Sequence, residues 1–323
     1  MAAALVQFLG AGDTATVGTS FAITVSKTVT VGNKIIVGAT YVAASGASSF
    51  ADNLGNVYTA DATGGNGTTE RVVMFSAPVT VGGTLTTLTF THPSATYRAI
   101  EAAEWSGVGS FASSGGATNS ASTTVTWVVS GTIPANGVAV GFFAENNVKT
   151  VTAGANSGTP STAIVLDDNH QSAVSGISTS YLHAIAGSTD VTTFTGTATL
   201  SASDTWWAGG AIYNPAATVP VWVSPADTAS MGTTPVLVLT SPASGSAQHF
   251  ELQLDTANTF NTGNLRDIRT DLSQTGWEYW NGTAWTAFPS TGLASTYAGN
   301  QVRHTVQSAL SATTWYRQVR AGV

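Results

Sequence analysis

Cysteine is absent from the sequence, and charged residues are scarce. Lys, Arg, Asp and Glu together make up 8% of the 323 residues, against roughly 25% in an average soluble domain. Without cysteine, a disulfide framework, thiol catalysis and cysteine-ligated zinc are excluded. The ten Lys and Arg residues do not cluster, and the formal net charge is −7. The basic surface that binds nucleic acid or a membrane is therefore missing, and we expect neither partner.

Long apolar runs are absent too. No stretch approaches the ~20 apolar residues of a membrane-spanning helix. The segment Met1–Leu9 lacks the basic start and the extended apolar run of a secretory signal. We therefore expect synthesis in a cytoplasm, followed either by release as part of an assembled particle or by export on a leader outside this sequence.

The residues that are present alternate between apolar and polar. Hydrophobic residues make up 43% of the chain, which is too many for a disordered protein. Ser20–Val31 predicts a strand with Phe21, Ile23 and Val25 on one face. The same pattern, punctuated by Gly, Asn, Asp and Pro, predicts strands at Lys34–Val42, Arg71–Val79, Leu85–Phe90, Arg98–Trp105, Thr123–Ser130, Gly137–Ala144, Thr192–Leu200 and Trp206–Tyr213. No long segment has helical periodicity, so the sequence predicts an all-β fold of the sandwich or jelly-roll type.

A short segment bracketed by prolines, Asn214–Pro220, predicts a domain boundary. It divides the chain into a larger β-sandwich, jelly-roll-like, over residues 1–216 and a second domain over residues 217–323. No internal repeat is apparent in the sequence.

The second domain resembles the fibronectin type III family. Residues 310–321, with Trp315-Tyr316 followed by Val319-Arg320-Ala321, are similar to the penultimate strand of that family. Val221–Asp227 and Pro235–Leu239 resemble its first strands, and His249–Thr256 its third. The resemblance implies an immunoglobulin-like sandwich that serves as a spacer or a binding module.

In that family one more strand would follow Val323. We expect either a shortened domain or an open sheet edge, which a strand donated by a neighbouring subunit could complete.

An aromatic hairpin provides the candidate contact residues. Asn281-Gly282 is the preferred two-residue turn of a type I′ hairpin, and it would pair Trp280 with Thr283. Trp280 and Trp285 would then share one face, and Trp277 and Tyr279 the other. A strand in a sandwich buries only one face, so one of these two aromatic pairs lies on the outer face. That pair is covered by a loop, contacts another subunit, or forms a platform for a sugar ring.

The first domain resembles, more diffusely, sandwich domains of bacteriophage surface proteins. The resemblance rests on Gly32–Gly38, on the turn Asp52–Tyr58 and on Glu104–Val108. It implies a non-enzymatic protein on the virion surface: a head decoration, a head fibre or a tail fibre component. The expected partners are other virion proteins and copies of the chain itself in a homo-oligomer, for which a trimer is a reasonable symmetry. A glycan-binding adhesin and a capsule-degrading glycosidase are the alternatives.

Residues with catalytic or ligand chemistry are dispersed. No nucleophile elbow, phosphate-binding loop or metalloprotease helix occurs, and we predict no catalytic, cofactor or metal site. Glu101 and Glu104 are three residues apart, which places them on opposite faces of a strand, and Asp167 and Asp168 also point apart if extended. His183 is predicted to be a packed strand residue.

The turn residues Asp52, Asn53 and Asn56 could supply oxygen ligands for calcium, as could Asp167–Asn169. We favour Asx turns, in which such side chains bind nearby backbone groups.

Overall fold

The computed structural model describes residues 2–43, 46–65, 69–172, 176–216, 221–224, 234–241, 249–256, 266–272, 274–293, 300–307, 310 and 316–321. Within these residues every regular element is a β-strand, so the all-β prediction is confirmed. The chain forms two compact units, residues 2–215 and residues 216–323.

The described residues of the first unit form fourteen strands. They are β1 (Ala4–Thr14), β2 (Gly18–Val29), β3 (Lys34–Val42), β4 (Ser49–Asp52), β5 (Thr59–Gly65), β6 (Glu70–Pro78), β7 (Gly83–Ala95), β8 (Arg98–Ser106), β9 (Val108–Ile133), β10 (Val138–Glu145), β11 (Val151–Ala153), β12 (Val165–His170), β13 (Ser178–Ile185) and β14 (Val191–Pro215).

Strands β1–β8 form a jelly roll. One sheet has the order β1-β8-β3-β6-β5, and the facing sheet has the order β2-β7-β4. The alternation predicted for β2 places Ile23 and Val25 in the core between these sheets. There they meet Val37 of β3 and Phe90 of β7, which are both fully buried. The inward-facing side chains of both sheets form this core, as expected for a two-layer sandwich.

Strands β9–β14 repeat the same strand order. The first half of β9 pairs with the second half of β14, and β10, β13 and β12 follow in that sheet. The second half of β9 pairs with the first half of β14, which also pairs with β11. Each of these two long strands therefore corresponds to two separate strands of the first jelly roll. The sequence shows no internal repeat, yet the structure repeats the strand order, because the two halves of the first unit share topology rather than side chains.

The two jelly rolls pack against each other through their larger sheets. A third apolar core lies between them and includes Ile36 and Trp105 of the first half with Phe142, Tyr181 and Trp207 of the second half. Strands β3, β8 and β10 are consequently buried on both faces. This explains why the sequences of β3 and β10 are almost continuously apolar rather than alternating. β8 is buried as well, but it carries Arg98, Glu101 and Glu104.

Two indole N–H groups inside this interface find acceptors on the opposite jelly roll. The indole N–H of Trp207 donates to Oγ1 of Thr40 at 2.7 Å. The Thr40 hydroxyl donates in turn to the carbonyl of Arg71 at 2.8 Å. The indole N–H of Trp105 donates to the Tyr181 hydroxyl at 3.2 Å. These bonds fix the relative register of the two jelly rolls.

Replacing Thr40 with valine tests this register. We expect the first unit to lose about 1–3 kcal/mol of unfolding free energy, because the shape is kept while the Trp207 N–H is left buried without an acceptor. Urea unfolding measures the change, and Thr24→Val on the exposed face of β2 is the matched control. Equal effects of the two variants would contradict the role of the Thr40 bond.

In its described residues the second unit is a sandwich of a five-stranded and a three-stranded sheet, with the orders β15-β16-β21-β19-β20 and β18-β17-β22. Its core contains Leu239, Phe250, Leu252 and Val302, all completely buried. The strands are β15 (Val221–Ser224), β16 (Val236–Thr240), β17 (Phe250–Asp255), β18 (Arg266–Arg269), β19 (Trp277–Trp280), β20 (Trp285–Ala287), β21 (Gln301–Thr305) and β22 (Tyr316–Ala321). Trp315 and residues 225–233, on which part of the fibronectin resemblance rests, lie outside the described residues.

Candidate interaction surface

The aromatic hairpin exists, but its register differs from the predicted one. Trp280 pairs with Trp285, and Tyr279 pairs with Thr286. The loop therefore has four residues, closed by a bond from the Asn281 N–H to the Ala284 carbonyl at 3.1 Å. The predicted two-residue turn is wrong because the Asn281 side chain accepts the N–H groups of Thr283 and Ala284, both at 2.9 Å, and stabilises the wider loop.

The division of the aromatic residues between two faces is as the sequence predicts. Trp277 is buried in the core of the second unit, and Tyr279 packs against the same core. Trp280 and Trp285 are half-buried on the other face, with ring centres 5.7 Å apart in an edge-to-face arrangement. Of the four candidate residues, only Trp280 and Trp285 therefore form a pair on the outer face of the sheet.

Two charged residues extend this outer pair. The Arg303 guanidinium lies 4.2 Å from the centre of the Trp285 ring, where it gains a cation–π interaction. Its Nε donates to a Glu278 carboxylate oxygen at 2.7 Å. We call Glu278, Trp280, Trp285 and Arg303 the outer aromatic surface. Flat apolar rings beside fixed donors and acceptors can bind a sugar ring or a protein side chain.

Glu101 and Glu104, the carboxylate pair that the sequence singled out, do not converge. Three groups bind Glu104: the backbone N–H of Thr30 at 2.8 Å, Asn33 Nδ2 at 2.7 Å and Gln7 Nε2 at 2.6 Å. Glu101 points the other way, toward the second jelly roll. There burial raises its pKa well above the usual value, and the nearby carboxylates Asp168 and Asp167 add to the rise. The prediction of opposite faces is confirmed, so these two residues do not form a glycosidase pair.

His183 is a packed strand residue, as predicted, but it has a partner that sequence spacing did not reveal. Its Nδ1 lies 2.7 Å from a carboxylate oxygen of Asp167 on the neighbouring strand β12. The Trp105 ring packs edge-on against His183, with the ring centres 5.0 Å apart. The side chains of His183 and Asp167 are both almost completely buried. Only the pairing of β12 with β13 brings them together.

The turn at Asp52 is an Asx turn, as favoured from the sequence. The Asp52 Oδ1 accepts the N–H groups of Leu54 and Asn56, at 2.9 and 3.1 Å. Its Oδ2 accepts the Tyr58 hydroxyl at 2.9 Å. The oxygens that a calcium ion would need are therefore occupied by the chain itself. Within the described part of the chain, no group of three or more His, Asp or Glu side chains has a geometry that could hold a metal ion.

No helix among the described residues is long and apolar enough to cross a membrane. No protein-family model, curated protein or solved structure matches the chain. The phage and fibronectin assignments therefore stay predictions.

Proposed function

We propose that the chain is a non-enzymatic structural protein on the outside of a bacteriophage particle. It would serve as a head decoration protein or as a component of a head fibre or a tail fibre. The observation that carries this proposal is the packing of the first unit. Its Glu101, Asp167 and His183 side chains are used between sheets and are closed to solvent. Side chains that are buried in this way are withdrawn from solvent and are not available to a substrate.

The outer faces of the two jelly rolls also support a structural role. Exposed Thr24 and Thr87 pair directly on the outer face of the first jelly roll. Exposed Thr124 and Thr199 pair in the same way on the second. Neutral hydroxyl surfaces of this kind are well hydrated and have few charges with which to attract unrelated molecules.

Light scattering and electron microscopy test the structural role. We expect the purified chain to form a symmetric homo-oligomer, with a trimer as the leading expectation. Labelled antibody against the chain should decorate the surface of intact particles. A monomer that no particle contains would contradict the proposal.

A second candidate function, glycan binding by an adhesin, is favoured by the outer aromatic surface. Two Trp rings beside an Arg–Glu pair provide both the stacking and the hydrogen bonding that a sugar ring requires. In this case the first unit would act as the rigid support of the second.

Replacing Trp285 with alanine tests the second candidate. We expect affinity for host surface polysaccharide to fall at least about tenfold, because both ring stacking and the position of Arg303 are lost. Tyr97→Ala, which removes an exposed aromatic ring from the first unit, is the control. Unchanged binding by Trp285→Ala would exclude this surface, and release of reducing sugar would contradict both functions in favour of a glycosidase.

A further inference from the structure

Strand β9 forms an open edge of its sheet along its first half. Among the described residues, this half pairs with β14 on one side and with no strand on the other. Between residues 113 and 118 the pairing with β14 has no register shift, so the strand is regular there. Residues 111–114, Gly116 and Thr118 are exposed. The outer N–H and C=O groups of this segment therefore have the spacing with which a further strand pairs.

Edge strands in natural proteins usually carry features that prevent such pairing, among them charged side chains, proline and bulges. The segment 113–118 has none of these three. Residues 105–144 contain no Lys, Arg, Asp, Glu or His and form the longest uncharged segment of the sequence. No proline occurs between residues 94 and 133. The side chains of residues 113–117 are Ser, Ser, Gly, Gly and Ala, which are small enough for a neighbouring backbone to approach closely.

The equivalent strand of the first jelly roll provides an internal comparison. β1 lies at the sheet edge next to β8, as the first half of β9 lies next to the second half of β14. Its pairing with β8 has two register shifts, one after Leu5 and one after Phe8. It carries the charge of Asp13, and Gln7 Nε2 donates to the Thr28 carbonyl of β2 at 2.8 Å. β1 is thus protected against further pairing by features that β9 lacks.

The absence of charge also indicates which strand would pair with β9. When two copies of a strand meet antiparallel across a twofold axis, a charge in one copy lies close to the same charge in the other. In a chain of net charge −7, an uncharged edge is therefore suited to pairing with itself. Phe111 adds an apolar anchor to this edge. Its ring is 41% exposed and lies edge-to-face against Tyr213, with the ring centres 6.3 Å apart.

We propose that the first half of β9 pairs antiparallel with β9 of a second copy of this chain, across a twofold axis. The two six-stranded sheets then become one continuous sheet. This inference rests on the homo-oligomer of the proposed function and names its contact surface. The twofold axis by itself gives a dimer, and together with a threefold axis it gives a hexamer. A trimer alone has no twofold axis.

Analytical ultracentrifugation and amide hydrogen exchange on the full chain test this interface. We expect the mass of a dimer or a hexamer. Amide exchange at residues 113–118 should be slower in the associated protein than after dilution, because the outer N–H groups become hydrogen-bonded. Phe111→Ala should weaken association at least about tenfold, since an aromatic anchor of the contact is lost.

A charge-pair experiment identifies the partner as a second copy. One variant combines Ser114→Lys with Thr118→Lys, and the other combines Ser114→Glu with Thr118→Glu. Each variant alone should associate at least about tenfold more weakly than the unaltered chain, because like charges then face each other. An equimolar mixture of the two should recover the association. Thr24→Lys combined with Thr87→Lys, on the exposed outer face of the first jelly roll, is the matched control and should associate normally.

The outcomes separate this interface from the structural role. A trimer, or association that both charged variants retain, overturns the β9 interface and leaves the structural role standing. A monomer overturns the interface too, and the labelling of intact particles then decides the structural role independently. Circular dichroism shows whether each variant folds. If a charged variant does not fold, hydrogen exchange in the unaltered chain decides, since unchanged exchange at residues 113–118 on association overturns the interface.

Discussion

Replacing Gly38 with alanine is expected to destabilise the first unit by about 3 kcal/mol or more. Gly38 lies on β3 where the two jelly rolls meet, and a Cβ atom at this position would be 2.2 Å from Cγ of Phe142 and 2.5 Å from Cδ2. Phe142 is completely buried, so its ring cannot move into solvent. Calorimetric unfolding of the first unit measures the loss.

A double-mutant cycle distinguishes this clash from a general effect of alanine. In a Phe142→Ala background the ring is gone and only the contact with the Cβ atom of residue 142, at 2.6 Å, remains, so Gly38→Ala should cost less than in the unaltered chain. Gly187→Ala is the matched control, because a Cβ at Gly187 meets nothing within 4 Å. If Gly38→Ala costs the same with and without the Phe142 ring, the interface is packed differently.

Replacing Glu145 with glutamine is expected to stabilise the first unit by about 3 kcal/mol at pH 7. Glu145 is completely buried, and neither carboxylate oxygen has a hydrogen-bond partner among the described residues. Burial raises its pKa from 4.5 to about 9, with Glu101 and Asp204 adding to the rise and Lys149 opposing it. The folded protein therefore holds this proton at neutral pH, whereas the unfolded chain has released it.

The sign of the pH dependence follows from this difference. The folded pKa lies above the unfolded one, so the contribution of Glu145 to stability is fully present below pH 4.5 and is lost as the pH rises toward about 9. Unfolding free energies of Glu145→Gln and of the unaltered chain should converge near pH 4.5 and separate as the pH rises. Glu70→Gln, at the half-buried start of β6, is the control. A constant difference across this range would show that Glu145 is ionised in the folded protein.

Local pattern was sufficient for most strands of the first jelly roll. The predicted strand Lys34–Val42 has the same bounds in the structure, because turn residues delimit it on the N-terminal side. The pattern was insufficient where one strand passes between two sheets. Thr192–Leu200 and Trp206–Tyr213 were separate predictions, yet both belong to the continuous strand β14. The segment between them contains Ser201, Ser203 and Asp204, which are common in turns, yet the strand continues through it.

The candidate contact residues show the same limit. Alternation correctly separated Trp277 and Tyr279 from Trp280 and Trp285, because side chains in any strand alternate between faces. It did not give the register of the hairpin, which depends on how the Asn281 side chain bonds within the loop. Nor did it indicate that the Trp277 ring would lie against His304, with the ring centres 4.8 Å apart.

The sequence by itself determined that this chain is all-β, because short alternating or apolar segments separated by frequent turn residues are a local property of the sequence. Scarce charge and absent cysteine likewise follow from composition. Tertiary structure alone decided that the two halves of the first unit are jelly rolls of the same strand order and that Gly38 lies against Phe142. It also decided that Asp167 meets His183. Those contacts join residues whose spacing carries no signal, since strand pairing and sheet stacking select partners by shape and not by distance along the chain.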